Sequence, residues 1–126
     1  MKYLALFVLP AAACLALGCG SGAPAVATVE GTITLDGQPL SDARVIFEPV
    51  NGRRSMAITD ESGRYELNYL RETMGARLGK HIVRITQADG DPQREPVPVR
   101  YNRDSTLSAE VKPGKNVIDF PLKRSK

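Results

Sequence analysis

The chain has 126 residues and a formal net charge of +3, from 17 basic and 14 acidic residues. This length corresponds to about one domain, and the interspersed charges exclude the strongly basic composition of a nucleic-acid-binding protein. The only cysteines are Cys14 and Cys19, so an internal disulfide cannot stabilise the rest of the chain. Its stability must come from packing.

Residues 1–18 have the layout of an export signal. Lys2 precedes an apolar segment that runs from Tyr3 to Leu17 and contains Pro10, and small residues follow. The apolar segment is shorter than the roughly 20 residues that a membrane-spanning helix needs. We therefore expect residues 1–18 to be removed as a signal peptide.

Cys19 ends this segment, in the sequence "LGC". The sequence resembles the bacterial lipobox, with Ala16 where leucine is more common. By that resemblance Cys19 becomes the first residue of the mature protein and carries acyl chains, which anchor a small domain durably. A disulfide is the alternative role, but its partner Cys14 lies in the segment to be removed. Gly20 after the cysteine favours the outer membrane over the inner one.

The rest of the chain divides into a tether, one domain and a tail. Residues 19–25, "CGSGAPA", predict a flexible tether because glycine and serine keep the backbone mobile. Over residues 26–122, apolar and polar residues alternate and turn residues recur about every eight to twelve positions, which is typical of an all-β sandwich. Residues 123–126, "KRSK", form a basic tail that we expect to be solvated.

Two strands are predicted early in the domain, in "ATVEGTITLDG" and "ARVIFEP". Their inward residues are expected to be Val29, Gly31, Ile33 and Leu35 in the first strand and Ala43, Val45 and Phe47 in the second. Asp36 and Gly37 supply the turn after the first strand, since this pair readily adopts positive φ values.

The next two strands are predicted in "RSMAITD", with Met56 and Ile58 inward, and in "SGRYELN". Between them, "TDESGRYEL" predicts a hairpin turn in which Asp60 accepts backbone hydrogen bonds and Gly63 takes a positive φ. A calcium site at Asp60 and Glu61 is the alternative. Calcium takes about six to eight oxygen ligands, and the spacing of acidic residues does not provide them.

The second half of the domain predicts a short helix, a strand, a loop and a hairpin. "YLRETMGARLG" is compatible with one or two helical turns, and "GKHIVRITQ" predicts a strand with a partly exposed His81. Residues 88–105 form the longest loop, and such loops often carry binding residues. "TLSAEVKPGKNVIDFPL" predicts a final hairpin that turns at Pro113 and Gly114. The total is seven strands.

The order of "VEGTITLDGQPLSDARVIFEP", "TDESGRYEL", "GKHIVRI" and "YNRDSTLSAEVKPGKNVIDFPL" resembles the carboxypeptidase regulatory-like domain, a transthyretin-like fold. More closely, the chain is similar to small exported bacterial lipoproteins that consist of that domain alone. The resemblance implies a seven-stranded Greek-key β-sandwich that serves as a non-catalytic accessory or binding module. It implies no particular ligand.

The residues offer little for catalysis. His81 is the single histidine, and alone it forms neither a metal site nor a catalytic triad. The hydroxyisourate hydrolases of the transthyretin-like fold use several histidines and a Tyr-Arg-Gly-Ser ending, whereas this chain ends "PLKRSK". The related adhesin repeats link a first-strand lysine to a last-strand asparagine; Asn116 is present, but residues 26–36 contain no lysine. We expect no enzymatic activity, no metal and no cofactor.

Arg100, Tyr101, Asn102 and Arg103 end the long loop and are the candidate binding residues. Their side chains suit a carbonyl, carboxylate or peptide partner; alternatively, Tyr101 packs across the end of the sandwich and the arginines are solvated. We expect a lipid-anchored binding or scaffolding module of the cell envelope, whose partner is an envelope protein or a glycan. The alternative is an exported domain that binds a small ligand or carbohydrate through residues 88–105.

Overall fold

A computed structural model of the protein describes residues 25–88 and 96–125. Over these ranges the chain is all-β, with one three-residue 3₁₀ turn at Val99–Tyr101. The strands are β1 Val26–Leu35, β2 Gln38–Pro39, β3 Ala43–Pro49, β4 Ser55–Ile58, β5 Arg64–Glu66, β6 Asn68–Leu70, β7 Thr73–Met74, β8 Ala76–Arg77, β9 Gly79–Gln87, β10 Ser108–Val111, β11 Lys115–Val117 and β12 Phe120–Leu122. The proposed signal peptide, Cys19 and nearly all of the tether lie outside the described residues.

The first sheet is organised around β1, whose ten residues pair with five short strands. On one edge, β11 and then β12 run parallel to it. Strands β2, β5 and β8 are antiparallel to β1. Strands β5 and β2 lie on the other edge of β1, because they pair with residues of β1 that also pair with β11 or β12. A single long strand therefore holds this sheet together.

The second sheet is antiparallel and has the strand order β10-β9-β3-β4-β6-β7. Its centre is the pairing of β3 with β9, which runs over seven residue pairs from Ala43 opposite Gln87 to Pro49 opposite His81. Pairing is much weaker toward β7, since β4 and β6 share only the bridge from Met56 to Asn68.

The two sheets pack face to face around one apolar core, which makes the fold a β-sandwich. Alternate residues of each long strand point inward, as the period of two requires. The largest buried apolar side chains are Val29, Ile33, Val45, Phe47, Leu67, Val83, Ile85, Val111 and Leu122. The inward faces predicted for β1 and β3 are confirmed by this burial.

Two of the predicted turns have the local conformation expected of them. Asp36 and Gly37, with φ of 53° and 86°, close a two-residue hairpin between β1 and β2. Asp60 Oδ1 accepts hydrogen bonds from the amides of Ser62 at 2.9 Å and Arg64 at 3.0 Å.

The predicted partners of two hairpins are wrong. The turn at Asp60 leads from β4 in the second sheet to β5 in the first. Pro113 and Gly114 likewise connect β10, which pairs with β9, to β11, which pairs with β1. A turn motif fixes the local bend, whereas the strand that receives the chain is set by where its apolar side chains are buried.

Two further predictions are corrected. Met56 and Ile58 point to solvent, with 38% and 54% of their surface exposed, while Ser55 and Thr59 of the opposite face are buried. The segment predicted as helical turns forms β6, β7 and β8 instead. Gly75 permits this path, because it has a φ of 114° and its ideal Cβ would lie 2.3 Å from the Ala27 carbonyl oxygen.

Candidate functional site

The predicted loop residues Arg100, Tyr101, Asn102 and Arg103 lie together at the 3₁₀ turn after residue 96. Asn102 is buried, and its Nδ2 lies within hydrogen-bonding distance of the carbonyl oxygens of Ile85 at 3.2 Å, Val97 at 3.3 Å and Pro98 at 3.1 Å. Its Oδ1 accepts the amide of Arg103 at 2.8 Å. Asn102 therefore fastens the loop to β9.

Arg100 and Tyr101 hold the C-terminal tail. The Arg100 guanidinium donates to the carbonyl oxygens of Lys123 and of Ser125, the latter at 2.7 Å, and its Cζ lies 4.7 Å from the centre of the Tyr101 ring. The Tyr101 hydroxyl accepts the amide of Lys123 at 3.2 Å. Of the four predicted binding residues, Arg103 has the exposed side chain. Most of the polar capacity of this group is used within the chain itself.

His81 is buried with 2% exposure, so its predicted partial exposure is wrong. It lies on the inward face of β9, where its ring centre is 5.5 Å from that of Phe47. Its Nε2 is 2.8 Å from the Arg77 carbonyl oxygen, and its buried Nδ1 has no partner among the described residues. The ranges 25–88 and 96–125 contain no group of three side chains suited to a metal ion.

A groove of about 720 Å³ lies on the solvent face of the second sheet. It opens where the chain changes sheets at Leu67, because β5 pairs with β1 and β6 pairs with β4. With only one bridge joining β4 to β6, the two strands separate on either side of it. We call this the β4–β6 groove; its lining is Arg53, Arg54, Met56, Ala57, Ile58, Asn68, Tyr69, Leu70 and Arg71.

The apolar part of the β4–β6 groove consists of exposed side chains from its two strands. Met56 and Leu70 are each 38% exposed, and Ile58 is 54% exposed. Large apolar side chains gathered on one solvent-facing surface are typical of interaction sites, whereas single exposed ones are common everywhere. The groove thus offers a ligand an apolar surface to cover.

Three arginines surround that apolar surface, and the described lining includes no acidic side chain. Arg53 Nε donates to the Tyr69 carbonyl oxygen at 2.9 Å, which orients its guanidinium. Arg54 lies 3.9 Å from Glu48, but that carboxylate also binds Arg84 at 3.0 Å and so cannot fully neutralise both. Arginine pairs well with carboxylates and phosphates. The groove therefore suits an anionic ligand with an apolar part.

No family model and no curated protein sequence matches this chain. Among solved structures it is similar to a DUF3823 family protein from Parabacteroides merdae, with 14% sequence identity and a TM-score of 0.49. The alignment covers 79% of this chain and 46% of that protein, so this chain spans less than half of its length. None of the described helical segments is long and apolar enough to cross a bilayer.

The sequence prediction missed the β4–β6 groove because it placed Met56 and Ile58 in the core. The sequence offered an alternative, because the small residues Ser55 and Thr59 occupy the face of β4 opposite Met56 and Ile58. In the structure Thr59 is buried, and its Oγ1 donates to the Leu40 carbonyl oxygen at 2.6 Å. It also accepts the amide of Ala43 at 2.9 Å. A small polar residue can therefore face the core as well as an apolar one, provided that its hydroxyl forms hydrogen bonds with the backbone.

Proposed function

We propose that this chain is a lipid-anchored, non-catalytic binding module of the bacterial cell envelope. In this proposal Cys19 carries the acyl chains, residues 19–25 tether the domain, and the outer membrane is its site. In this proposal the domain is a carboxypeptidase regulatory-like sandwich of the transthyretin-like, Greek-key type, although the twelve strands among its described residues exceed the seven that the sequence predicts. The order of the sequence motifs and the all-β fold over residues 25–88 and 96–125 support this assignment.

The observation that carries the binding role is the β4–β6 groove. It combines exposed Met56, Ile58 and Leu70 with the guanidinium groups of three arginines around them. We propose that it binds an anionic group with an apolar part, carried by an envelope protein or glycan. Burial of apolar area would supply most of the affinity, and the arginines would orient the acidic group.

The loop of residues 88–105 is the second candidate binding surface. Arg103 is exposed there, whereas Asn102 and Arg100 are engaged with the backbone of the same chain. A small ligand or carbohydrate bound at this loop would contact Arg103 first. The groove is favoured because its arginines surround an apolar surface.

Photocrosslinking in the native host distinguishes the two surfaces. A photoreactive residue replaces Leu70 in the groove, and a matched one replaces Val117, which is 63% exposed on the other sheet. We expect a discrete product at Leu70 that Arg71→Glu abolishes and Arg103→Glu preserves. Equal products at both positions, or loss only with Arg103→Glu, would overturn the assignment of the groove.

A further inference from the structure

The two ends of the sandwich differ in charge. One end contains the start of β1, where Val26 pairs with Arg77 of β8 and residue 25 leads toward the N-terminus. The loops between β8 and β9 and between β10 and β11 reach the same end, since Gly79 pairs with Val111 and Thr28 with Lys115. We call it the tether end.

Three loops of the tether end contain four basic and no acidic residues: 50–52, 77–80 and 112–115, with Arg77, Lys80, Lys112 and Lys115. Glu110 pairs with Lys80, and the turn between β6 and β7 adds one basic and one acidic residue, so this end is basic on balance. The loops 50–52 and 77–80 touch, because a Cβ on Gly52 would lie 2.7 Å from the Arg77 guanidinium. Lys115 lies 3.7 Å from Glu30 but keeps 70% of its side-chain surface exposed. Its charge remains available to a partner.

The opposite end is mixed in charge. Its loops at 36–37, 40–42 and 59–63 contain the acidic residues Asp36, Asp42, Asp60 and Glu61. The segment 97–105 and the tail reach the same end and bring the basic residues Arg100, Arg103, Lys123 and Arg124, of which Arg124 lies 3.7 Å from Asp36. The loops that are basic without acidic residues therefore lie at the end nearest the tether.

Exposed apolar side chains accompany the basic residues. Val50 is 87% exposed at the tip of the loop between β3 and β4, and Leu78 is 37% exposed beside Arg77. An apolar tip within a ring of lysines and arginines suits the boundary between phospholipid headgroups and acyl chains. Such a tip is costly in water without a partner, though only modestly for two residues.

We infer that the tether end docks on the anionic phospholipid headgroups of the membrane that holds the anchor. This inference rests on the proposed anchor at Cys19 for its distance argument. The seven residues from Cys19 to Ala25 are joined by six Cα–Cα steps, which reach about 20 Å when fully extended and about 13 Å for a flexible chain of that length. This reach is short enough for the tether end to meet the headgroups, whose charge acts within the Debye length of about 8 Å at physiological salt.

Docking in this way orients the domain. The opposite end points away from the bilayer, and the β4–β6 groove stands beside the membrane surface, because Arg53 and Arg54 immediately follow the Val50 loop. The headgroup contacts use Lys80, Lys112 and Lys115, which the groove does not.

Vesicle binding by the unanchored chain tests this inference. Residues 19–126 with Cys19→Ser retain every described strand and every core residue, so this chain keeps the whole fold. We expect it to cosediment with vesicles of equal phosphatidylcholine and phosphatidylglycerol, and not with phosphatidylcholine alone. Added salt should release it.

A charge-matched pair of variants locates the contact. Lys80→Glu, Lys112→Glu and Lys115→Glu together should lower binding to the anionic vesicles at least about tenfold, because each basic residue near the surface contributes. Arg103→Glu, Lys123→Glu and Arg124→Glu change the net charge equally at other places and should lower it much less. Equal losses from both triple variants, or equal binding to both vesicle types, would overturn the inference.

Tryptophan fluorescence gives a second readout, since the natural chain has no tryptophan. Val50→Trp should shift to shorter wavelength with the anionic vesicles, whereas Gln38→Trp at the opposite end should not. A shift at Gln38→Trp alone would contradict the orientation. None of these measurements uses the acyl anchor. Vesicle binding therefore tests the docking of the tether end, and the mass of the N-terminal peptide tests the lipidation of Cys19 separately.

Discussion

The carbonyl oxygen of Ile118 lies 1.9 Å from the position that a Cβ on Gly31 would take. This close approach occurs where the two parallel partners of β1 meet, between the end of β11 and the start of β12. The Ile118 amide donates to the Glu30 carbonyl oxygen at 2.8 Å, and the Tyr65 hydroxyl donates to the Ile118 carbonyl oxygen at 2.6 Å. The absence of a side chain at Gly31 therefore lets one strand pair with two in succession.

Gly31→Ala should destabilise the fold strongly. The added methyl group collides with backbone rather than with a mobile side chain, so we expect a loss of about 3 kcal/mol or more in the free energy of unfolding. Gly37→Ala is the control, because that position has open space and only a φ of 86° to penalise, at about 1 kcal/mol. Urea unfolding of both variants measures the difference. Equal losses would contradict the close approach.

Tyr65 should make the fold sensitive to alkaline pH. Burial raises the pKa of its hydroxyl above the usual value, and nearby Asp119 raises it further. The folded state therefore keeps a proton that the unfolded state releases above about pH 10, so the free energy of unfolding falls as pH rises beyond that value. Tyr65→Phe should lose the hydrogen bond to Ile118 and reduce this slope. An unchanged slope in Tyr65→Phe would contradict the prediction.

Asn102 should matter for stability and Arg103 should not. Asn102→Ala removes the buried Nδ2 group that lies within hydrogen-bonding distance of three carbonyl oxygens, which we expect to cost about 3 kcal/mol. Arg103→Ala removes an exposed side chain and should change stability by about 0.5 kcal/mol or less. Thermal unfolding of the two variants compares them directly. If Asn102→Ala were as stable as the natural protein, Asn102 would not be needed to fasten the loop and would again be a candidate binding residue.

Asp60 should act through its turn and not through calcium. Asp60→Ala removes the acceptor for the amides of Ser62 and Arg64, with an expected loss of about 1 kcal/mol. Calcium added to the natural protein should leave the unfolding midpoint unchanged, since Asp60 Oδ1 is already used. A rise of the midpoint with calcium, absent in Asp60→Ala, would support the calcium alternative.

Ser55→Ala should preserve or raise stability. The Ser55 hydroxyl is fully buried and has no hydrogen-bond partner among the described residues, so its removal relieves a desolvation cost of about 1 kcal/mol. Met56→Ser, one position along the strand, should change stability little because Met56 faces solvent. A large loss in Met56→Ser would show that the face of β4 is reversed.

The sequence predicted the long strands well because their pattern is unambiguous. In β1, Val29, Ile33 and Leu35 alternate with polar residues, and all three are buried. In β4 the pattern is ambiguous, since apolar Met56 and Ile58 alternate with small residues that also fit the core. Polarity alone therefore selected the wrong face.

Strand partners were harder to predict than strands. The residues near Pro113 specify a bend, but they do not specify that β10 pairs with β9 and β11 with β1. The same limit applies to the groove, which exists because Leu67 lies between two strands of different sheets. His81 was expected to be partly exposed, but it shares the inward face of β9 with Val83 and Ile85 and is buried with them.

The most direct test of the account is the mass of the N-terminal peptide of the protein from the membrane fraction of its native host. We predict a peptide that begins at Cys19 and carries two or three acyl chains, and we predict that Cys19→Ala releases the domain from the membrane. An unmodified peptide that begins at another residue would contradict the anchored module. The protein would then be a soluble exported domain, and its binding surfaces would have to account for its function alone.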